Sequence, residues 1–279
     1  MRRMMQAAAV ALVLAAAGGT LVSGQASRDA LHRPLDELLD LYVRDGLVYY
    51  NALRSERGRL DAYIAALDGP RAAGVDSWPH EEQIAFWLNA YNAWVLRAVI
   101  DHYPIRGRAA NYPPGSIRQI PGVFDRTRRR IAGRSLTLDE IETTVLPAFR
   151  DPRLYLALGR GALGSGRLRS EAYVASRLGA QLDAVAKEFA SSGRLFDIDE
   201  STGVMSVTPI VSWREQEFAA AYAAAAPERY AQRSPVERAI LAFVLPNLLP
   251  HEIELVEKNQ FSVRFQEFDW RLNDLSGRR

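Results

Sequence analysis

The chain of 279 residues contains no cysteine. That excludes a thiolate nucleophile, a thiolate metal site and a lipid-modified N-terminal cysteine. It does not argue against export, because a chain of this length buries enough core to fold without disulfides. Histidine is scarce as well. His32, His80, His102 and His251 are the full set, and no two lie three or four residues apart, so a histidine zinc site has no support. The Gly-Lys-Ser/Thr ending of a P-loop, the dinucleotide fingerprint and the five-residue Gly-x-Ser-x-Gly elbow are also missing. No cofactor and no metal is therefore assigned. Net charge is nearly absent: the formal +2 falls to about 0 once residues 1–26, with two arginines and no acid, are set aside. Nothing in that balance favours a nucleic-acid partner. The one basic cluster, Arg126 to Arg130, reads as a solvated loop in an arginine-rich chain.

Long apolar runs are missing too, except at the start. Arg2 and Arg3 precede an apolar run from Ala7 to Ala17, and small residues follow at Gly18, Ser23, Gly24 and Ala26. This is the pattern of a secretory signal peptide, expected over 1–26 with cleavage near Gly24 or Ala26. The run is short for a membrane anchor, so no stable span is expected after cleavage. The predicted location is periplasmic or secreted.

The remainder, 28–275, reads as a single α+β domain, mostly helical with a few short antiparallel strands. Its composition, 48% hydrophobic and 24% charged, is that of a globular protein. Leu35, Leu38, Leu39, Tyr42 and Val43 recur at helical spacing. Residues 79–102 form the longest apolar helix, ended by Pro104, and residues 104–135 read as a long loop. Thr137 and Glu140 have capping-box spacing and open a short helix from Leu138 to Leu146. Leu154–Leu158 is a short apolar run, read as a strand or buried turn. A glycine-rich loop from Gly159 to Gly166 follows, read first as a flexible turn and second as an anion cradle. Val174, Leu178, Leu182, Val185 and Phe189 mark an amphipathic helix, and a hairpin is expected around 201–203. Ser212 with Glu215, and Ser234-Pro235 with Glu237, look like two further helix starts.

The most informative stretch is Phe86-Trp87-Leu88-Asn89-Ala90-Tyr91-Asn92-Ala93-Trp94. It reads as a buried helix carrying two amides on one face, and buried amides are costly unless hydrogen-bonded. Asn89 and Asn92 either tie down loop backbone or orient a ligand. Phe268-Asp269-Trp270-Arg271-Leu272-Asn273 poses the same question, with Asp269 as its acid.

The first of these stretches resembles the signature helix of the domain-of-unknown-function 547 family. The similarity continues through Gly133–Glu142, Asp151–Arg153 and Leu168-Arg169, and reaches Phe268–Asn273. The resemblance implies a papain- or transglutaminase-like thiol hydrolase, in which a cysteine attacks an acyl carbon with histidine as base. The chain departs from that pattern at three reactive positions. The family cysteine falls on Ser165, and family histidines fall on Tyr155 and Thr143. Glu142, Arg169 and the terminal Asp269-Trp270 pair remain. A retained pocket without thiol chemistry is the leading expectation: a catalytically degenerate protein that binds a ligand, peptide or envelope partner through Asn89, Asn92, Glu142, Tyr155, Arg169 and Asp269. An enzyme using Ser165 with a base from His80, His102 or His251 is the alternative. A structural envelope protein without a pocket is the third.

Overall fold

The computed structural model describes residues 28–276; the expected signal segment, 1–26, lies outside them. Residues 28–42 form helix α1, with Leu31, Leu35, Leu38 and Leu39 buried along one stripe. Asp45 and Gly46, both at positive φ, turn the chain between β1 (Val43–Arg44) and β2 (Leu47–Val48). Helices α2 (Tyr50–Ser55) and α3 (Gly58–Ala66) pack on α4 (His80–His102).

Helix α4 organises the molecule. Every residue from Ile84 to Ala93 is buried, and a helix apolar on all sides belongs in the interior. Its amides must then find partners inside the protein. Asn89 donates to the Tyr173 carbonyl (2.7 Å) and accepts from the Tyr173 N–H (2.9 Å). Asn92 donates to the Ala157 carbonyl (3.3 Å) and accepts from the Gly159 N–H (2.8 Å). Each amide replaces a missing backbone partner for a loop that crosses the helix.

The loop after α4 is shorter than expected, because its end forms a hairpin of β3 (Arg129–Ile131) and β4 (Arg134–Leu136). The capping box at Thr137 and Glu140 is present and opens α5 (Leu138–Glu140). The winding then widens to a π-turn over Ile141–Val145 and tightens to a 3₁₀ turn over Leu146–Phe149. The run at Leu154–Leu158 is a correction: it is helical, as α6 (Arg153–Ala157), rather than a strand or turn. Asp151 explains the difference, since its carboxylate accepts the Arg153 N–H (3.0 Å) and starts the helix beside Pro152.

Helix α7 (Leu178–Ser191) buries Leu178, Leu182, Val185 and Phe189 as expected, while Val174 lies ahead of it in extended backbone. Strands β5 (Phe196–Asp199) and β6 (Val204–Val207) form the antiparallel hairpin, Phe196 facing Val207. A second correction follows. Ser212 does not start a helix: Thr208 caps α8 (Pro209–Trp213), Ser212 bonds back to Pro209, and α9 (Glu215–Tyr222) begins after a break at Arg214. Ser234 and Glu237 do form a capping box, at α10 (Pro235–Val244). Helix α11 (Pro250–Glu257) precedes β7 (Ser262–Phe265), which joins β6 in parallel and completes a three-stranded sheet.

The chain then returns across the molecule. Leu272 pairs with Ala162 and Asp274 with Val48, while Asn273 accepts from the Tyr50 hydroxyl and donates to the Gly46 carbonyl. The terminal motif is thus a staple joining the first turns to the glycine-rich loop. The whole is a mostly helical α+β domain with small sheets. Among the described residues no helix is long and apolar enough to cross a membrane.

Candidate functional site

The glycine-rich loop is a buried crossing rather than a flexible turn. A Cβ on Gly166 would lie 1.6 Å from the Leu156 carbonyl oxygen, and one on Gly164 would lie 2.7 Å from the Asp269 nitrogen. Side chains at either position would collide with backbone. Several of the loop's N–H groups are already committed: Gly159 to Asn92, Leu163 to the Arg271 carbonyl, Gly164 to the Asp269 carbonyl. They are therefore not free to cradle an anion. Ser165 belongs to this internal network. It is buried, and its Oγ accepts the Arg160 N–H at 3.0 Å.

No histidine pairs with Ser165 among the described residues. His32 shares a hydrogen bond with the Tyr63 hydroxyl, and His80 packs edge-on against Phe149. His102 bonds the Ala98 carbonyl, and His251 faces Glu200. A serine needs an adjacent base to act as a nucleophile, and this one has none of those four.

The residue that Ser165 steadies leads to the centre of the site. The Arg160 side chain is fully buried and grips Glu142 with two bonds, Nε to Oε1 at 3.2 Å and Nη2 to Oε2 at 2.6 Å. Its Nη1 donates to the Tyr155 carbonyl (3.1 Å). The Tyr91 hydroxyl, from the signature helix, also donates to Glu142 Oε1. Burial alone would raise the Glu142 pKa, but the Arg160 charge and these hydrogen bonds outweigh it and hold the carboxyl below its usual range. The π-turn carries Glu142 and Thr143, and π-turns recur at functional sites. Thr143 spends its hydroxyl on the Asp139 carbonyl (2.7 Å).

Glu142, Thr143 and Arg160 form one side of a cavity of about 260 Å³. Arg118, Asp139, Trp213, Arg214 and Trp270 complete most of its lining. Burial, then the neighbouring Glu142, raises the Asp139 pKa against the pull of Arg118. Arg214 stacks over the Tyr155 ring at 4.7 Å and stays 3.7 Å from Glu142 Oε2. Tyr155 and Glu217 line a second cavity of about 400 Å³, together with Leu146, Pro147, Pro152 and two alanines of α9. The Tyr155 hydroxyl donates to Glu217 at 3.4 Å, and burial raises its pKa.

Of the residues expected from sequence, Glu142 and Tyr155 stand at the cavities and Ser165 stands behind Arg160. Asn89 and Asn92 are clamps on loop backbone, one layer further in. Arg169 lies apart, paired with Glu171 (2.7 Å), and Asp269 is paired with Arg271, leaving its neighbour Trp270 to face the cavity. The sequence reading missed Arg160, Arg118, Arg214 and Trp213. Arg160 carried a usable signal: an arginine inside a tightly packed glycine run needs a buried acid, and Glu142 was already marked.

A known family is similar to the chain over part of its length. No curated protein and no solved structure matches it. A family model does match residues 75–190, a span holding the signature helix, Glu142 and the glycine-rich loop but not the terminal Phe268–Asn273 motif. Over that segment the chain is similar to the family described as "Protein of unknown function, DUF547".

Proposed function

We propose that this chain is an exported, catalytically degenerate member of its family that binds a ligand in the cavity beside Glu142. The observation that carries the proposal is the state of Ser165. Its hydroxyl oxygen accepts a backbone N–H, it is shut away from solvent, and each histidine is engaged elsewhere. Glu142 supports the same conclusion, because a carboxylate gripped by Arg160 and held ionised is a poor general base. What remains is a preformed pocket with a fixed charged floor, aromatic walls and a second, more apolar cavity alongside. Export rests on the charged, apolar and small-residue pattern of 1–26.

The experiment is a hydrolysis assay on peptide, amide and ester substrates with the wild-type protein and Ser165→Ala. No turnover above the uncatalysed rate is expected from either. Turnover by the wild type that Ser165→Ala abolishes would establish the serine enzyme instead.

A further inference from the structure

Two of the three arginines at the cavity make no side-chain hydrogen bond with a described residue. The Arg118 guanidinium lies 4.3 Å from the Trp270 ring, 4.6 Å from Phe124 and 5.8 Å from Tyr112. Its side chain makes no hydrogen bond or ion pair with any described residue, and its Nε is closed off from solvent without a partner. Arg214 reaches Glu142 only at 3.7 Å and Glu217 only at 3.8 Å, both beyond hydrogen-bond length. Arg160, by contrast, is saturated. Arginine forks half-withdrawn from water and without hydrogen-bonded acceptors match the planar, bidentate geometry of a carboxylate.

Charge and shape agree with that match. Arg160 and Glu142 cancel, so Arg118 and Arg214 face the cavity against Asp139, whose pKa burial raises, with Glu217 3.8 Å from Arg214. Trp213 and Trp270 supply aromatic lining, and Phe268 packs against both with tilted rings, 5.0 Å from Trp213 and 4.3 Å from Trp270. Trp213 is 47% exposed, so its ring is open to a ligand. The volume, about 260 Å³, sits just under the range of drug-sized pockets and suits a small molecule.

We infer that the cavity binds a small aromatic carboxylic acid, its carboxylate held by Arg118 and Arg214 and its ring laid against Trp213 and Trp270. The inference rests on the binding function proposed above and adds the ligand's chemistry to it.

The test is a titration of the purified protein with benzoate and with benzamide, which has the same shape without the charge, followed by tryptophan fluorescence and calorimetry. Benzoate is expected to bind with a Kd of about 1 mM or tighter, to perturb tryptophan emission, and to weaken as salt is added. Benzamide is expected to bind at least about tenfold more weakly, because it offers no charge-assisted bond. Arg118→Gln and Arg214→Gln, each checked for folding by circular dichroism, are expected to weaken benzoate about tenfold or more and to leave benzamide unchanged. Should a variant unfold, the benzoate–benzamide contrast in the wild type decides alone. Equal affinity for the two ligands would overturn the carboxylate inference while leaving a binding cavity in place. Absence of benzoate binding up to about 10 mM, or benzoate binding unchanged in both folded variants, would overturn it too. Failure of the parent proposal looks different: it is Ser165-dependent turnover.

Discussion

At the scale of single residues, the site is governed by the Glu142–Arg160 pair. Both side chains are buried, so each depends on the other for the solvation it lost on folding. Arg160→Met leaves the Glu142 carboxylate with the Tyr91 hydroxyl and the more distant Arg214 and is expected to cost about 3–5 kcal/mol in urea unfolding. Glu142→Gln strands the guanidinium and is expected to cost a similar amount. The double variant should lose distinctly less than the sum of the two, because the uncompensated charge is gone. Additive losses would show that the pair is not coupled. Arg160→Lys is no rescue here, since an ammonium cannot make the two parallel bonds to Glu142 while also reaching the Tyr155 carbonyl. The chain has only two lysines, Lys187 and Lys258, and its internal ion pairing rests on arginine forks.

At the scale of elements, α4 holds the loops that carry the site. Asn92 bonds both the Ala157 carbonyl and the Gly159 N–H, and so fixes where the glycine-rich loop leaves α6. Asn92→Ala removes both bonds and leaves two buried backbone groups unsatisfied, an expected loss of about 2–4 kcal/mol. Amide hydrogen exchange should then quicken across 157–166 before it does elsewhere. Exchange rising uniformly over the molecule would contradict the clamp. Much of this framework was legible in the sequence where the cause is local. The unbroken burial of Ile84–Ala93, the capping boxes at Thr137 and Ser234, and the hairpin at 201–203 each follow from side chains within a few residues. The misreadings had nearby competitors. Thr208-Pro209 starts a helix four residues before Ser212 can, and the five-residue run at Leu154 is too short for periodicity to separate helix from strand. The loop after α4 hid a hairpin whose turn, Ala132-Gly133 at positive φ, lies inside an arginine cluster.

At the scale of the whole molecule, the cavity is a long-range assembly. Residues 118, 142, 160, 214 and 270 come from five separate segments, and no spacing along the chain links them. The family resemblance marked Glu142 and Ser165, but what Ser165 does became clear only with Arg160 in place. Folding also leaves an acid sensitivity that spans the protein. His32 is buried against Tyr63 and Phe86, and burial lowers its pKa from 6.5 to about 4 despite the nearby Asp29. The unfolded chain therefore takes up a proton near pH 6.5 that the folded chain refuses until about 4. Stability should fall across that window by about 3 kcal/mol from this group. Glu142 acts lower: its depressed pKa contributes stability above 4.5 that is lost as pH falls through the folded value. His32→Gln, measured by urea unfolding from pH 7 to 4, should show a shallower decline than the wild type. An identical decline would remove His32 from the account.

The central claim is that the cavity beside Glu142 binds without turning its ligand over. The most direct test is an NMR titration of the wild-type protein with N-acetylphenylalanine, which carries a carboxylate, an aromatic ring and a cleavable amide in one molecule. The prediction is selective movement of the Trp213 and Trp270 indole signals with the ligand intact after prolonged incubation. Release of acetate, or perturbation confined to residues remote from Arg118 and Arg214, would contradict it.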